Sequence, residues 1–381
     1  AGAHSDMLTL PFSLVNAHCR SLHGECKARR EVSHVAATRV RRCPSPGDGR
    51  AKSIICYRYH IEERCGALVL GHHAPAPHEA TTWLAKRPGD CGEESAVKVL
   101  VTGGNGRLGR WVGPALVADG HEVVSVDRHL PDAPTACVHY REVEMGDLGQ
   151  VVGAAAGCDA IVHLAAIPQP LSHPDEVVFL NNVGATYNAL QAAMTLGIER
   201  AIIASSISAY GMAWGRPTFP PRYAPIDEAH PFLAKDPYAL SKETDERTAE
   251  MFCRRAGMTV LAYRLHWIGQ PGESRRRALD PAYTAEQDAF NLWGYIDARD
   301  AARAICLGLK AQVQGFHAFN IVASDTLRVE PTAELIARYL PNLELRGEFP
   351  GHASGWATDR AEDVLGFVPQ HSWRDEPDAT A

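Results

Sequence analysis

The stretch from Val97 to Gly109, VKVLVTGGNGRLG, constrains this chain more than any other. Its apolar run (Val97, Val99, Leu100, Val101) suits a buried parallel strand. The run breaks at Thr102 into Gly103, Gly104, Asn105, Gly106, Arg107, Leu108 and Gly109. A helical apolar pattern follows at Leu108, Val112 and Leu116. Gly103, Gly106 and Gly109 stand at G-x-x-G-x-x-G spacing. Glycines let a backbone turn sharply and approach a ligand closely, and a helix start offers free N–H groups to an anion. A glycine-rich turn alone is a weak signal, but between strand and helix it fits the pyrophosphate of a dinucleotide.

A second strand-like segment, HEVVSV, ends at Asp127, about 20 residues beyond the glycines. A carboxylate there accepts hydrogen bonds from the adenosine ribose hydroxyls and repels a 2′-phosphate. NAD is therefore expected over NADP, although Arg128 or Arg107 could hold that phosphate. Asp127 as a plain strand-end turn residue is the competing reading, and the agreement of loop, spacing and acid disfavours it.

From residue 96 onward, strand-like and helix-like segments alternate. Strands are predicted at 97–102, 122–126, 160–164, 200–205, 258–264 and 317–322. Helices are predicted at 107–119, 147–156, 177–196, 236–256, 297–310 and 331–340. This alternation predicts an α/β fold: a Rossmann-type, doubly wound parallel sheet with helices on both faces. A small C-terminal substrate cap is expected at about 265–293 and 323–375. The 381 residues carry a net charge of -7 with 45% hydrophobic residues, which suits a globular α/β chain and argues against a nucleic-acid surface. No apolar run reaches the ~18–20 residues needed to cross a bilayer, and no export signal is visible, so a cytoplasmic location is expected.

Residues 1–95 differ. They hold six of the ten cysteines and eight of the eighteen histidines, and basic residues outnumber acidic ones 13 to 10. Metal binding is one reading, but Cys19/Cys26 and Cys56/Cys65 are too far apart for a zinc knuckle, and no metal site is expected. A disulfide framework would require export. Pro, Gly and Arg interrupt every periodic pattern, so the expectation is a poorly ordered extension, of the kind that sequence translated from upstream of a true start would give.

Two further motifs carry chemistry. The strand near 200–205 runs into Ser205-Ser206-Ile207-Ser208-Ala209-Tyr210-Gly211, and Tyr238-Ala239-Leu240-Ser241-Lys242 forms Y-x-x-x-K. Residues four apart on a helix share a face, so Lys242 can stabilise a Tyr238 phenolate. Such a phenolate removes an alcohol proton while hydride leaves the same carbon. A strand-end serine can hold the substrate oxygen. A Tyr/Lys pair is by itself usually an amphipathic surface; after a dinucleotide loop and a Ser-Ser strand end it becomes specific. His163 reads as a packed histidine rather than a catalytic one.

On these motifs the chain resembles the extended short-chain dehydrogenase/reductase family, the NAD-dependent epimerases and dehydratases. The resemblance covers about 97–373 and rests on TGGNGRLG, Asp127, Gly146-Asp147-Leu148, HLAA (163–166), Asn182, SSISAYG, YALSK, Arg264 and YIDARDAARA (295–304). It implies Ser206 as the substrate-binding serine, Tyr238 as general acid/base and Lys242 as its partner. It implies a cofactor site of Gly103, Gly106, Arg107, Leu108, Gly109, Asp127, Arg128, Asp147, Leu148, Leu164, Ala165, Ala166, Asn182, Tyr238, Lys242 and Ile268. Asp147 and Leu148 would flank the adenine, and Asp297 and Asp300 would be structural. A homodimer through the helices at 177–196 and 236–256 is also implied.

Two departures narrow the function. Arg264-Leu265-His266-Trp267-Ile268-Gly269 lacks the asparagine that nucleotide-sugar enzymes place after that arginine. Only 23 residues separate Gly269 from Trp293, too few to enclose a nucleotide diphosphate and its sugar. The chain is thus more similar to reduced-cap relatives such as uronate dehydrogenases. The expected activity is hydride transfer at a hydroxyl or carbonyl of a sugar, sugar acid or similar small polar substrate. A nucleotide-sugar epimerase with tightly bound NAD is the runner-up, and a non-catalytic NAD-sensing regulator is the reading from another class. Ser208, His266, Arg275, Arg276 and Arg277 are candidate substrate contacts, one arginine clamping an anionic group. A run of three arginines as a solvated loop is the competing reading.

Overall fold

The computed structural model describes residues 96–213 and 220–376. The expectations for residues 1–95 lie outside the described residues.

In chain order the strands are β1 (Lys98–Thr102), β2 (Glu122–Asp127), β3 (Val138–Glu142), β4 (Ala160–His163), β5 (Arg200–Ser206), β6 (Tyr223–Ala224), β7 (Thr259–Leu265), β8 (Ile268–Gly269), β9 (Ile296–Asp297), β10 (Phe316–Ile321) and β11 (Glu344–Leu345). The helices are α1 (Gly109–Ala118), α2 (Leu148–Ala155), α3 (Asp175–Leu196), α4 (Pro237–Ala256), α5 (Glu273–Leu279), α6 (Ala298–Lys310), α7 (Thr332–Tyr339) and α8 (Asp359–Leu365). Seven strands form one sheet in the order β10-β7-β5-β4-β1-β2-β3, every neighbouring pair parallel. This is the Rossmann-type sheet expected from the alternation. The order reverses beside β1, so a crevice opens beyond the carboxyl ends of β1 and β4.

Burial explains the central strands. Every residue of β7 is buried, as is every residue of β4. One sheet face carries Val151, Ala185, Ala189 and Phe252 from α2, α3 and α4; the other carries Val112, Ala301, Ile305 and Leu365 from α1, α6 and α8. A separate cluster around Tyr210, Ile226, Leu292, Trp293, Leu335 and Trp356 packs beyond the strand ends. It recruits residues near 207–226 in addition to the stretches expected to form the cap. Helix starts follow local chemistry: Asp236 Oδ1 accepts the Ala239 N–H at 2.8 Å with Pro237 in the first turn of α4, and Asp297 Oδ1 accepts the Arg299 N–H at 2.8 Å before α6.

Seven elements were not anticipated: β3, the four two-residue strands β6, β8, β9 and β11, and the helices α5 and α8. Strand β3, VHYRE, lies at the sheet edge with no fully buried residue, so it carries no apolar run. Helices α5 and α8 are seven residues each and rich in charge.

Candidate active site

The glycine turn is built by close approach. Gly103 has φ +67°, and a Cβ there would stand 2.7 Å from the Ala165 backbone nitrogen; at Gly109 it would overlap the Gly103 carbonyl oxygen. The Gly106 N–H donates to that same carbonyl at 3.0 Å. The turn therefore leaves a cradle that any side chain would fill, which fits a dinucleotide's pyrophosphate at the start of α1. Asp127 ends β2 with Oδ2 accepting the Asn105 N–H at 3.0 Å and Oδ1 accepting the Arg128 N–H at 2.8 Å. It thus orders the glycine turn while facing the same cleft as Arg128.

That cleft has a volume of about 950 Å³, at the upper end of ordinary ligand sites. Gly103, Gly106, Arg107, Leu108, Gly109, Leu164, Ala165, Ala166 and Ile268 line it. Arg107 Nε donates to the Ile268 carbonyl at 2.6 Å, and its guanidinium pairs with Glu273. Three expected cofactor contacts lie elsewhere. Asp147 caps α2, accepting from Gly149 and Gln150 N–H at 2.9 and 3.2 Å, and Leu148 is exposed beside it. Asn182 is fully buried outside the cleft. It accepts the Ile167 N–H at 2.8 Å and donates to the Ile167 carbonyl at 3.1 Å and to Ser241 Oγ at 3.2 Å, strapping the loop after β4 to α4.

Ser206, Tyr238 and Lys242 meet in the cleft's centre, each under 9% exposed. Ser206 ends β5; its Oγ donates to Ser208 Oγ at 3.0 Å and accepts the Ser208 N–H at 3.1 Å. Tyr238 and Lys242 share one face of α4, with Lys242 Nζ 5.8 Å from the Tyr238 ring centroid. Nζ donates to the Ala204 carbonyl at 2.8 Å and to Asp245 Oδ2 at 3.2 Å. His163 bonds Thr102 Oγ1 at 2.8 Å and Thr186 Oγ1 at 3.2 Å, and burial with the nearby Lys242 charge pushes its imidazole down to about 3.

A buried frame holds this centre. Arg264 donates to both oxygens of Glu246 at 2.9 and 2.8 Å and to Tyr210 Oη at 2.7 Å; Ser205 Oγ donates to Glu246 at 2.6 Å. Burial pushes the Tyr210 phenol up, so it stays a donor, to Asn320 Oδ1 at 2.9 Å. The Ser-Ser strand end and α4 are thereby locked together by a fork-on-carboxylate pair.

At the other end, His266 is buried with Nδ1 accepting the Trp267 N–H at 2.7 Å, so Nε2 carries the proton and faces the Asn291 carbonyl at 3.3 Å. Burial pushes it down to about 3, and it is a neutral donor. The three arginines lie on α5. Arg277 alone of them lines the cleft, its guanidinium between the Trp267 ring at 4.5 Å and the Tyr283 ring at 3.6 Å. Its buried Nε has no hydrogen-bond partner. Burial lowers its basicity, with Asp288 opposing. Asp288, Gln287 and Asn291 also face the cleft; they sit on a 3-10 helix, Ala285–Asn291, whose Thr284/Gln287 capping box is the one local signal that could have found it.

The sheet, the glycine cradle and the Ser/Tyr/Lys cluster define a Rossmann-type chain with a cleft suited to a dinucleotide. Residues 99–322 match the NAD dependent epimerase/dehydratase family, and the chain belongs to it. It is thus an enzyme family that works with NAD(P), and its members' substrates are small molecules. A UDP-glucose 4-epimerase of Corynebacterium glutamicum is 24% identical over 312 residues, 72% of this chain and 92% of that one. An L-arabinose 1-dehydrogenase (NAD(P)(+)) of Haloferax volcanii is 28% identical over 185 residues, 47% of this chain and 70% of that one. The solved structure of a glucuronic acid dehydrogenase from Chromohalobacter salexigens has a TM-score of 0.54 at 23% identity, covering 75% of this chain and 90% of that one. Among the described residues no helix is long and apolar enough to cross a membrane.

Proposed function

We propose that this chain is an NAD-dependent dehydrogenase of a small, anionic, sugar-like substrate, a sugar acid. The observation that carries the reading is Arg277: a guanidinium held between two rings in the lining of the cleft. A guanidinium fixed in that way offers its outer N–H groups in a two-pronged fashion to a substrate carboxylate. The short cap around it leaves little room for a nucleotide.

Ser206 Oγ holds the substrate hydroxyl, Tyr238 takes its proton, and Lys242 stabilises the tyrosinate that does so. The glycine cradle and Asp127 would hold NAD, which would supply the hydride acceptor when bound. His266 stays neutral and holds the Asn291 carbonyl and the Trp267 N–H in place at the substrate end. Asp147, Leu148 and Asn182 support neighbouring elements rather than touch the cofactor.

Supporting a homodimer, α3 exposes Val177, Leu180 and Tyr187 and α4 exposes Leu240; Leu180→Glu is expected to shift sedimentation to the monomer. The cytoplasm suits four cysteines that stand as free thiols among the described residues. A screen of free sugars, uronates and nucleotide sugars, read at the NADH absorbance, tests the main reading. Net NADH with uronates is expected. Product epimers of a nucleotide sugar without net NADH would replace it with the epimerase reading.

A further inference from the structure

Lys242 is 3% exposed, and an ammonium that far from water needs a counterion to keep its proton. The protein provides one. Asp245 is 1% exposed, lies three residues along the same face of α4, and sets Oδ2 3.2 Å from Nζ. The other charged groups nearby are committed or neutral. Glu246 is occupied on both oxygens by Arg264 and Ser205. His163, facing from β4, is neutral and bonded to Thr102 and Thr186. Tyr238 faces from the preceding turn of α4.

An ammonium has three protons to place. The Ala204 carbonyl takes one and Asp245 takes another. The third is left for the cleft, where Tyr238 stands. The carboxylate is itself held in place: the Thr186 hydroxyl from α3 lies beside it and favours its charged form, as does Lys242, against the burial that pushes its carboxyl up.

We propose that Asp245 is a positioning residue: it keeps Lys242 charged and turns its third N–H toward Tyr238. This rests on the catalytic reading of Tyr238 and Lys242, although its direct test does not need turnover. In sequence Asp245 carries no signal, because the run Lys242-Glu243-Thr244-Asp245-Glu246 reads as a charged helix surface. Only the packing of α3 and β4 onto α4 makes it the buried partner of the lysine.

The test uses the full chain, labelled with ¹³C-lysine and free of ligand. The chain has seven lysines, so Lys242 Cε is assigned by the signal that Lys242→Arg removes. In Asp245→Asn, close in shape but uncharged, the pH midpoint of that signal is expected to fall by about one unit or more relative to wild type. Asp245→Ser, smaller and equally uncharged, must show the same fall, so a folding defect peculiar to the asparagine does not blur the result. With a sugar acid as probe, kcat is expected to drop at least ~10-fold with a smaller change in KM. An unchanged midpoint in either folded variant overturns the proposal. Intact turnover in Tyr238→Phe would instead overturn the catalytic reading while the lysine titration still judged Asp245.

Discussion

Tyr238 packs on Ile167 and Val178 yet still lines the cleft, so its ring is fixed while its oxygen stays within reach of substrate. Tyr238→Phe keeps that packing and removes the proton acceptor. Turnover is expected to fall ~10²–10⁴-fold, with NAD affinity by calorimetry near wild type. Asp127 is a different kind of residue: its carboxylate faces the cleft, where under the proposed reading it opposes a 2′-phosphate, and it also holds the Asn105 N–H of the glycine turn. Asp127→Ala is therefore expected to shift the NADP/NAD preference in kcat/KM toward NADP, with Arg128 engaging the phosphate, and to weaken NAD binding through a looser turn. A wild-type enzyme that already prefers NADP would show that the ribose assignment is wrong. The sequence pointed to both residues because their chemistry is tied to short local spacing.

Helix α5 shows why three adjacent candidates resolve into one. Successive helical residues point about 100° apart, so Arg275, Arg276 and Arg277 cannot all face one cleft. Arg277→Met is expected to raise KM for a uronate at least ~10-fold with little change in kcat, whereas Arg276→Met, exposed on the far side, leaves both near wild type. Equal kinetics in the two variants would refute the clamp. Helix α3 carries the opposite lesson. An asparagine inside a helix is unfavourable by propensity, so a bond to a neighbouring loop or to a water near the active site is expected of it, and only the resemblance makes it a cofactor contact. In the fold Asn182 spends its amide on the loop after β4 and on Ser241. Asn182→Leu leaves the Ile167 N–H and carbonyl without those partners, and a loss of about 1–3 kcal/mol is expected in denaturant unfolding. The edge strand β3 escaped the reading for an equally physical reason: it buries too little to need apolar residues.

At the scale of the whole fold, three histidines are buried among the described residues, His163, His230 and His266, and burial lowers the basicity of each, which shapes the response to acid. His163 and His266 titrate near 3 when folded and near 6.5 when unfolded. Between these values the unfolded chain binds protons that the fold does not. Their contribution is therefore intact above about pH 6.5 and is lost as pH falls toward 3. From pH 7 to 5 His163 and His266 should each cost about 2 kcal/mol of stability. Buried Asp245, Glu228 and Asp288, whose carboxyls burial pushes up, act in the opposite sense. The histidine effect is best read as a difference. His266→Gln is expected to flatten the pH 7-to-5 change in unfolding free energy by about 2 kcal/mol. An unaltered slope would mean that His266 is protonated or exposed in solution.

Sequence alone determined the parallel α/β sheet, the glycine cradle, Asp127 and the Ser206–Tyr238–Lys242 centre. Each rests on periodicity or on fixed spacing within one strand, turn or helix, which the chain carries locally. Tertiary structure decided the rest: that Arg277 rather than its neighbours meets the cleft, that the partners of Asn182 are Ile167 and Ser241, that Asp147 caps α2, and that Asp245 is buried against Lys242. It also brought Tyr283, Asp288 and Asn291 to the substrate end. These outcomes depend on which faces of distant segments pack together, and burial of that kind leaves no mark in local sequence when the residues concerned are polar.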